Sequence, residues 1–214
     1  MDGGGPIPVT GVVLAGGQAE RMGGRDKGLL PLAGEALVAH VLRGLRPQVT
    51  ELLISANRNL ASYRAWGYPV VADADAARFR GPLAGMLAAL RAAVTADVLT
   101  APCDAAMLPP DYAQRMWAGR ERMQATVSVA EFGGRSQPVF ALLPVALADD
   151  LAAWLAAGEG GVGRWLQRHR PAMVAFPDWP TPSGHSGNIN TPEELARLEA
   201  QWPGRVQGHG RNRD

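Results

Sequence analysis

The segment Val9-Thr-Gly-Val-Val-Leu-Ala15 is apolar almost without interruption and ends at the paired glycines Gly16 and Gly17. A strand with one wet face alternates apolar and polar side chains. A short β-branched run that does not alternate reads as a strand buried on both faces. Such strands belong to parallel sheets covered by helices. This one segment therefore points to an α/β fold. Leu52–Ala56 and Pro69–Ala72 read as a second and third strand, and Asp97–Ala101 as a fourth that runs into Pro102-Cys103-Asp104. Between them, Ala36–Leu45 puts Leu37, Val41 and Leu45 on one helical face. Leu83–Val94 is an Ala/Leu helix that Gly81-Pro82 opens. Alternation of this kind builds right-handed βαβ units.

The second half changes the pattern. After a helix over Asp111–Arg120, the strands Ala125–Glu131 and Pro138–Leu143 are joined through Gly133-Gly134, a hairpin-like pair that makes the sheet mixed. Leu147–Ala157 and Val162–His169 read as helices and Met173–Phe176 as a last short strand. Thr191 can cap a final helix, with Pro192 in its first turn and Glu194 closing a capping box. No repeat period or linker divides the chain. One domain over residues 9–202 is expected, after a flexible stretch at 1–8 and before a Gly-, Arg- and Asn-rich stretch at 203–214 expected to be disordered.

Composition narrows the function classes. The chain has 214 residues, 47% hydrophobic and 19% charged, enough to bury a core without staples. Lys and Arg number 21 against 20 Asp and Glu, a net charge of +1, with no clustered basic excess of the kind nucleic-acid binding needs. Cys103, the single cysteine, excludes an internal disulfide and fits a reducing compartment. No basic-then-apolar leader is visible, and no run approaches the ~18 apolar residues of a membrane span. A cytoplasmic chain that binds neither nucleic acid nor membrane is expected.

The chemistry-bearing candidate is the loop after the first strand, Leu14-Ala-Gly-Gly-Gln-Ala-Glu-Arg-Met-Gly-Gly-Arg-Asp-Lys27. Its glycines at 16, 17, 23 and 24 allow several N–H groups to turn toward one anion. Arg21 and Lys27 add charge that a triphosphate would neutralise. The spacing fits neither the P-loop nor the dinucleotide fingerprint. Composition alone leaves phosphate binding and a merely flexible loop as alternatives. His40, His169, His185 and His209 lack metal-ligand spacing, so no zinc site is expected. Ser183-Gly-His-Ser-Gly187 has histidine where a nucleophile elbow needs serine. Cys103 lacks a nearby histidine partner and reads as a small buried residue.

The order Leu-Ala-Gly-Gly, Arg-Met-Gly, Asp-Lys-Gly resembles the signature of nucleotidyltransferases that activate sugars, isoprenoid precursors and cofactors. Four blocks match in the same order: Thr10–Leu30, Gly81-Pro-Leu-Ala-Gly85, Pro102-Cys-Asp104 and Asn188-Ile-Asn-Thr-Pro-Glu-Glu-Leu195. Together they resemble the molybdenum cofactor guanylyltransferase family from Thr10 to about Gln201. The resemblance implies a single-domain, Rossmann-like α/β fold of the nucleotide-diphospho-sugar transferase type, with a mostly parallel mixed sheet flanked by helices. It implies transfer of GMP from GTP to molybdenum-bearing molybdopterin, with Mg2+ as cofactor.

The same resemblance implies roles for residues. Leu14, Ala15, Gly16 and Gly17 would hold the nucleotide by backbone contacts, with Lys27 on its phosphates. Asp73 falls where an aspartate contacts the nucleotide, Asp104 where one holds magnesium, and Asn188 and Asn190 where a pair faces the pterin. Lys27, Asp104 and Arg21 are the catalytic candidates. Ser55 stands where relatives often carry a nucleotide-contacting asparagine. Gly158-Glu-Gly-Gly-Val162 lacks an arginine that some relatives have, with Arg164 as the nearest replacement. Each role has a plainer rival: Asp104 and Asp73 as turn residues, Lys27 as a surface lysine, the two asparagines as turn formers. Two other functions are weighed: a cytidylyltransferase on the same cofactor, disfavoured because Gly17 leaves room for guanine, and a non-catalytic GTP-binding adaptor. A monomer is expected, with molybdoenzyme chaperones as further partners.

Overall fold

The strand β1 (Ile7–Leu14) begins two residues before the sequence pattern sets it and sits near the middle of a seven-stranded sheet. The structure, a computed structural model, describes residues 5–15, 25–73, 81–179, 189 and 191–202. Beyond β1 the chain forms a small antiparallel hairpin, β2 (Pro31–Leu32) and β3 (Glu35–Ala36). It continues through α1 (Leu37–Leu45), β4 (Val49–Ser55), α2 (Leu60–Arg64) and β5 (Val70–Val71). Then follow α3 (Pro82–Ala92), β6 (Asp97–Pro102), α4 (Tyr112–Arg122), β7 (Ser128–Phe132) and β8 (Arg135–Pro144). The last elements are α5 (Ala148–Ala156), α6 (Val162–Gln167), β9 (Ala172–Ala175) and α7 (Pro192–Gln201).

The sheet order is β5-β4-β1-β6-β8-β7-β9. β1 pairs in parallel with both β4 and β6, and β8 runs antiparallel to both its neighbours. The mixed, mostly parallel sheet expected from the sequence is therefore present, with the Gly133-Gly134 turn at φ 58° and 68° joining the hairpin pair. Side chains of each strand alternate between two cores. Val9 and Val13 pack with Leu52, Ile54, Leu99 and the helices α1 and α4. Val12 and Leu14 face the other way, onto Leu53, Val98 and the helices α3, α5 and α6. Both faces being covered, the strands need apolar residues at every position, which is why β1 and β6 do not alternate.

Two buried polar devices hold the layers in register. Gln48 donates to the carbonyls of Gly44 (2.8 Å) and Pro109 (2.9 Å) and accepts from the N–H of Ala113 (2.9 Å), tying the end of α1 to the start of α4. Arg120 grips Asp97 with two hydrogen bonds, 2.5 and 3.2 Å, at the amino end of β6, both side chains about 10% exposed. The final helix carries the expected capping box, Glu194 N–H to Thr191 Oγ1 at 3.1 Å and Thr191 N–H to Glu194 Oε2 at 3.2 Å. None of the described helices is long and apolar enough to cross a membrane. The stretches 1–4 and 203–214 lie outside the described residues.

Gly119 shows how tightly α4 packs on the sheet. A Cβ built there would stand 2.5 Å from Val174 Cγ2 on β9. Alanine normally favours a helix interior over glycine by ~1 kcal/mol, but here the clash reverses the sign. Gly119→Ala is expected to destabilise the fold by about 1–3 kcal/mol, a fall of roughly 3–10 °C in melting temperature. Adding Val174→Ala removes the colliding methyl, so the double variant melts above the sum of the two single losses.

Candidate functional site

From β1 the chain builds outward to β4 and β5 on one side, then crosses to β6 on the other. At such a reversal the loops leaving adjacent carboxyl ends diverge and open a crevice. Backbone hydrogen bonds level the rim of that crevice: Ala15 N–H to Ser55 O at 2.7 Å, Cys103 N–H to Leu14 O at 3.0 Å, Ala56 N–H to Val71 O at 2.9 Å. Val71, Ser55, Leu14 and Pro102 thus form one row across four strands. Asp73 and Asp104 lie two residues beyond opposite ends of the row. Three strand spacings of ~4.8 Å put those ends about 14 Å apart.

At one end, Asp104 is 4% exposed and its carboxylate is paired with the ammonium of Lys27. Burial pushes the Asp104 carboxyl above the usual carboxylate range, and the charge and hydrogen bond of Lys27 oppose the shift. Lys27 reaches this point because the residues around it are fixed for separate reasons. Lys27–Leu29 is a single 3-10 turn, closed by Leu29 N–H to Asp26 O at 3.1 Å and Leu30 N–H to Lys27 O at 3.2 Å. The buried Asp26 carboxylate accepts from the Tyr63 hydroxyl (2.6 Å) and from Asn59 Nδ2 (2.9 Å), with Arg58 Nε 3.7 Å away. Arg58 also donates to the Arg25 carbonyl at 3.0 Å. Gly28 leaves no room for a side chain: a Cβ would meet the Tyr63 hydroxyl at 2.5 Å and Cys103 Cβ at 3.2 Å. Cys103 is buried, as expected, and burial raises its thiol pKa.

In the middle of the row Ser55 is buried beneath α3. A Cβ on Gly85 would come within 2.7 Å of its Oγ, so glycine at 85 is what lets the helix pass over the serine. Gly81, with φ 103°, turns the chain into α3 ahead of Pro82. At the far end, Asp73 is clamped by Asn57: Asn57 Nδ2 donates to Asp73 Oδ2 at 2.7 Å, and Asp73 N–H donates to Asn57 Oδ1 at 2.9 Å. Asp73 Oδ1 is buried and accepts no hydrogen bond among the described residues. Burial raises the Asp73 pKa, and the Asn57 hydrogen bond pulls it back.

The structure therefore brings Lys27 and Asp104 into contact, sets Leu14, Ala15 and Ser55 on the same rim, and puts Asp73 at its other end. Gly16, Gly17, Arg21, Asn188 and Asn190, and the Ser183–Gly187 motif, lie outside the described residues. Ile189 is buried with Leu30, Leu32, Leu37, Ala106 and Leu198, and its N–H reaches the Asp104 carbonyl at 3.4 Å. Arg164 is exposed and pairs with Glu159 at 3.6 Å. Sequence reasoning missed Asp26, Asn57, Arg58, Asn59 and Tyr63. The signal available was Asn57-Arg58-Asn59, three polar residues directly after a strand's carboxyl end, where ligand loops gather. Among the described residues no group of three His, Cys, Asp or Glu is gathered that could hold a metal ion alone.

Tyr63→Phe keeps the ring and removes one donor from the buried Asp26 carboxylate. A loss of about 1.5–3 kcal/mol is expected for a hydrogen bond to a charged group. It will be read as a lower urea midpoint with an unchanged slope.

A model of the MobA-like NTP transferase domain matches residues 11–173. A molybdenum cofactor guanylyltransferase of Shewanella frigidimarina is 44% identical over 193 residues, covering 90% of this chain and 96% of the relative. One of Cereibacter sphaeroides is 48% identical over 193 residues, covering 89% and 95%. The crystal structure of molybdopterin-guanine dinucleotide biosynthesis protein A of Archaeoglobus fulgidus superimposes with a TM-score of 0.71 at 21% identity, covering 90% of this chain and 98% of the other. At that identity the likeness is one of fold.

Proposed function

The chain belongs to the MobA-like NTP transferase family, and from that membership we infer that it transfers GMP from GTP to molybdenum-bearing molybdopterin. A terminal phosphate oxygen of molybdopterin attacks the α-phosphorus of GTP. The bond from that phosphorus to the oxygen bridging the β-phosphate breaks, and pyrophosphate leaves with the electron pair. The acceptor supplies its own nucleophile, so the protein has to supply position and charge rather than a catalytic triad. The observation that carries this reading is the Lys27–Asp104 pair at the crevice between β1 and β6.

Asp104 suits Mg2+. The ion takes one or two carboxylates and completes its octahedron with phosphate oxygens and water. Asp104 places a carboxylate beside a cation at the rim, where a magnesium–phosphate complex would meet both charges. Bound there, Mg2+ would neutralise negative charge on the phosphate oxygens as pyrophosphate departs. Lys27 serves the phosphates in the same way, as does Arg21 of the glycine-rich sequence. Leu14, Ala15, Gly16 and Gly17 hold the nucleotide by their backbone, Gly17 leaving space for a purine. Ser55 and Asp73 line its path, and Asn188 and Asn190 face the pterin. Action as a cytoplasmic monomer and delivery to molybdoenzyme chaperones complete the proposal.

Mg·GTP at a hundred times its dissociation constant is expected to add about 2.7 kcal/mol, a rise of roughly 5–10 °C in melting temperature. Mg·CTP is expected to add little; equal shifts from the two nucleotides would overturn the guanine assignment. Asp104→Ala is expected to cut pyrophosphate release in the presence of molybdate-loaded molybdopterin by roughly 10²–10³-fold while the far-ultraviolet dichroism stays that of the parent. Unchanged turnover would remove the metal role, and GTP binding without pyrophosphate release by the parent would favour an adaptor.

A further inference from the structure

We propose that Asn57 is a positioning residue for base recognition, holding Asp73 so that its second carboxylate oxygen is left to accept a hydrogen bond from the nucleotide. The inference rests on reading the crevice as a GTP site. Asn57 meets Asp73 at two points, one on the side chain and one on the backbone, at 2.7 and 2.9 Å. A single hydrogen bond would leave the carboxylate free to turn about its own bonds. The two-point clamp fixes the backbone and commits Oδ2, which leaves Oδ1 as the remaining acceptor. Oδ1 is buried and unpaired among the described residues. Leaving such an oxygen unsatisfied is costly, and the cost is recovered when a ligand brings donors. Guanine presents an N1–H and an amino group side by side on one edge. Cytosine presents one amino group next to acceptors, which a carboxylate repels.

The loop that carries Asn57 is itself anchored. Asn59, two residues on and at φ 52°, donates to Asp26, and Arg58 reaches Asp26 and the Arg25 carbonyl. One short loop thus touches the residue at the base end of the rim and the segment that presents Lys27 at the phosphate end. The two effects separate experimentally, because inorganic tripolyphosphate reports the phosphate end alone.

The test is calorimetric titration of the parent, Asn57→Ala, Asn57→Asp and Asn59→Gly with the magnesium complexes of GTP, CTP and tripolyphosphate. Asn57→Ala is expected to weaken GTP binding about tenfold, in line with loss of one charge-assisted hydrogen bond, and to leave tripolyphosphate within about twofold of the parent. Asn57→Asp, of the same size but placing a second carboxylate against Asp73, is expected to lose more. Asn59→Gly tolerates the positive φ and removes the bond to Asp26, so it weakens GTP and tripolyphosphate together. Unchanged GTP affinity in Asn57→Ala overturns the proposal, as does an equal loss of GTP and tripolyphosphate, which marks general damage. A parent that fails to bind Mg·GTP at all overturns the underlying GTP reading instead, and the first titration shows which has failed.

Discussion

β1 is hydrogen-bonded along both edges and covered on both faces, and that confinement decides where chemistry can happen. A strand enclosed in this way has no side chain to offer a ligand along its length; only its ends are open. Its amino end lies near the Arg120–Asp97 pair, a buried charge pair spent on holding β6 to α4. The carboxyl end is where the neighbouring connections part, so every polar group with a prospective ligand role has to be brought there by a loop. Asp104, Asp73 and the strap carrying Lys27 arrive by three separate loops; Lys27 ties the strap to Asp104, and the loop 57–59 after β4 ties the strap to Asp73.

The Lys27–Asp104 pair sits in a balance of opposed terms. Removing two charges from water costs several kcal/mol per ion, and their mutual attraction offsets that only in part, as the raised Asp104 pKa records. In the free protein each charge is the other's counter-ion. On the proposed function, a nucleotide with a divalent cation would offer each a new partner: anionic phosphate for Lys27, the cation for Asp104. Exchange of one internal pair for two external ones would leave neither charge stranded in the rim.

What the sequence made legible was local or periodic. The apolar runs of β1, β4 and β6, the Gly133-Gly134 turn, the Gly81-Pro82 start and the Thr191–Glu194 box all signal through near neighbours, and all are present with shifts of a few residues at their ends. The elements missed give weaker signals. The β2–β3 turn has Gly34 at φ 86°, but Ala33 before it takes φ 51°, where glycine or asparagine is usual, and the two strands are two residues each. α2 spans five residues, too short for a helical period to be read. In the candidate site, Lys27, Asp104 and Asp73 were singled out through a family pattern, whereas the groups that hold them were not. Asp26 and Tyr63 are 37 positions apart and Asn57 and Asp73 are 16 apart, so their pairing exists only after the strands have assembled.

The small third core has a consequence for how the molecule comes into being. Leu30, Leu32 and Leu37 follow the Lys27 strap, Ala106 follows Asp104, and the side chains that cover them, Ile189 and Leu198, belong to the last described stretch of chain. Translation delivers residues in order, at ~5–20 per second. The small core built on the residues that follow the strap and Asp104 therefore stays open to water until nearly all of the described chain has left the ribosome. A growing polypeptide can pair its seven strands once Ala175 has emerged and still lack the cover that Ile189 and Leu198 bring to this core.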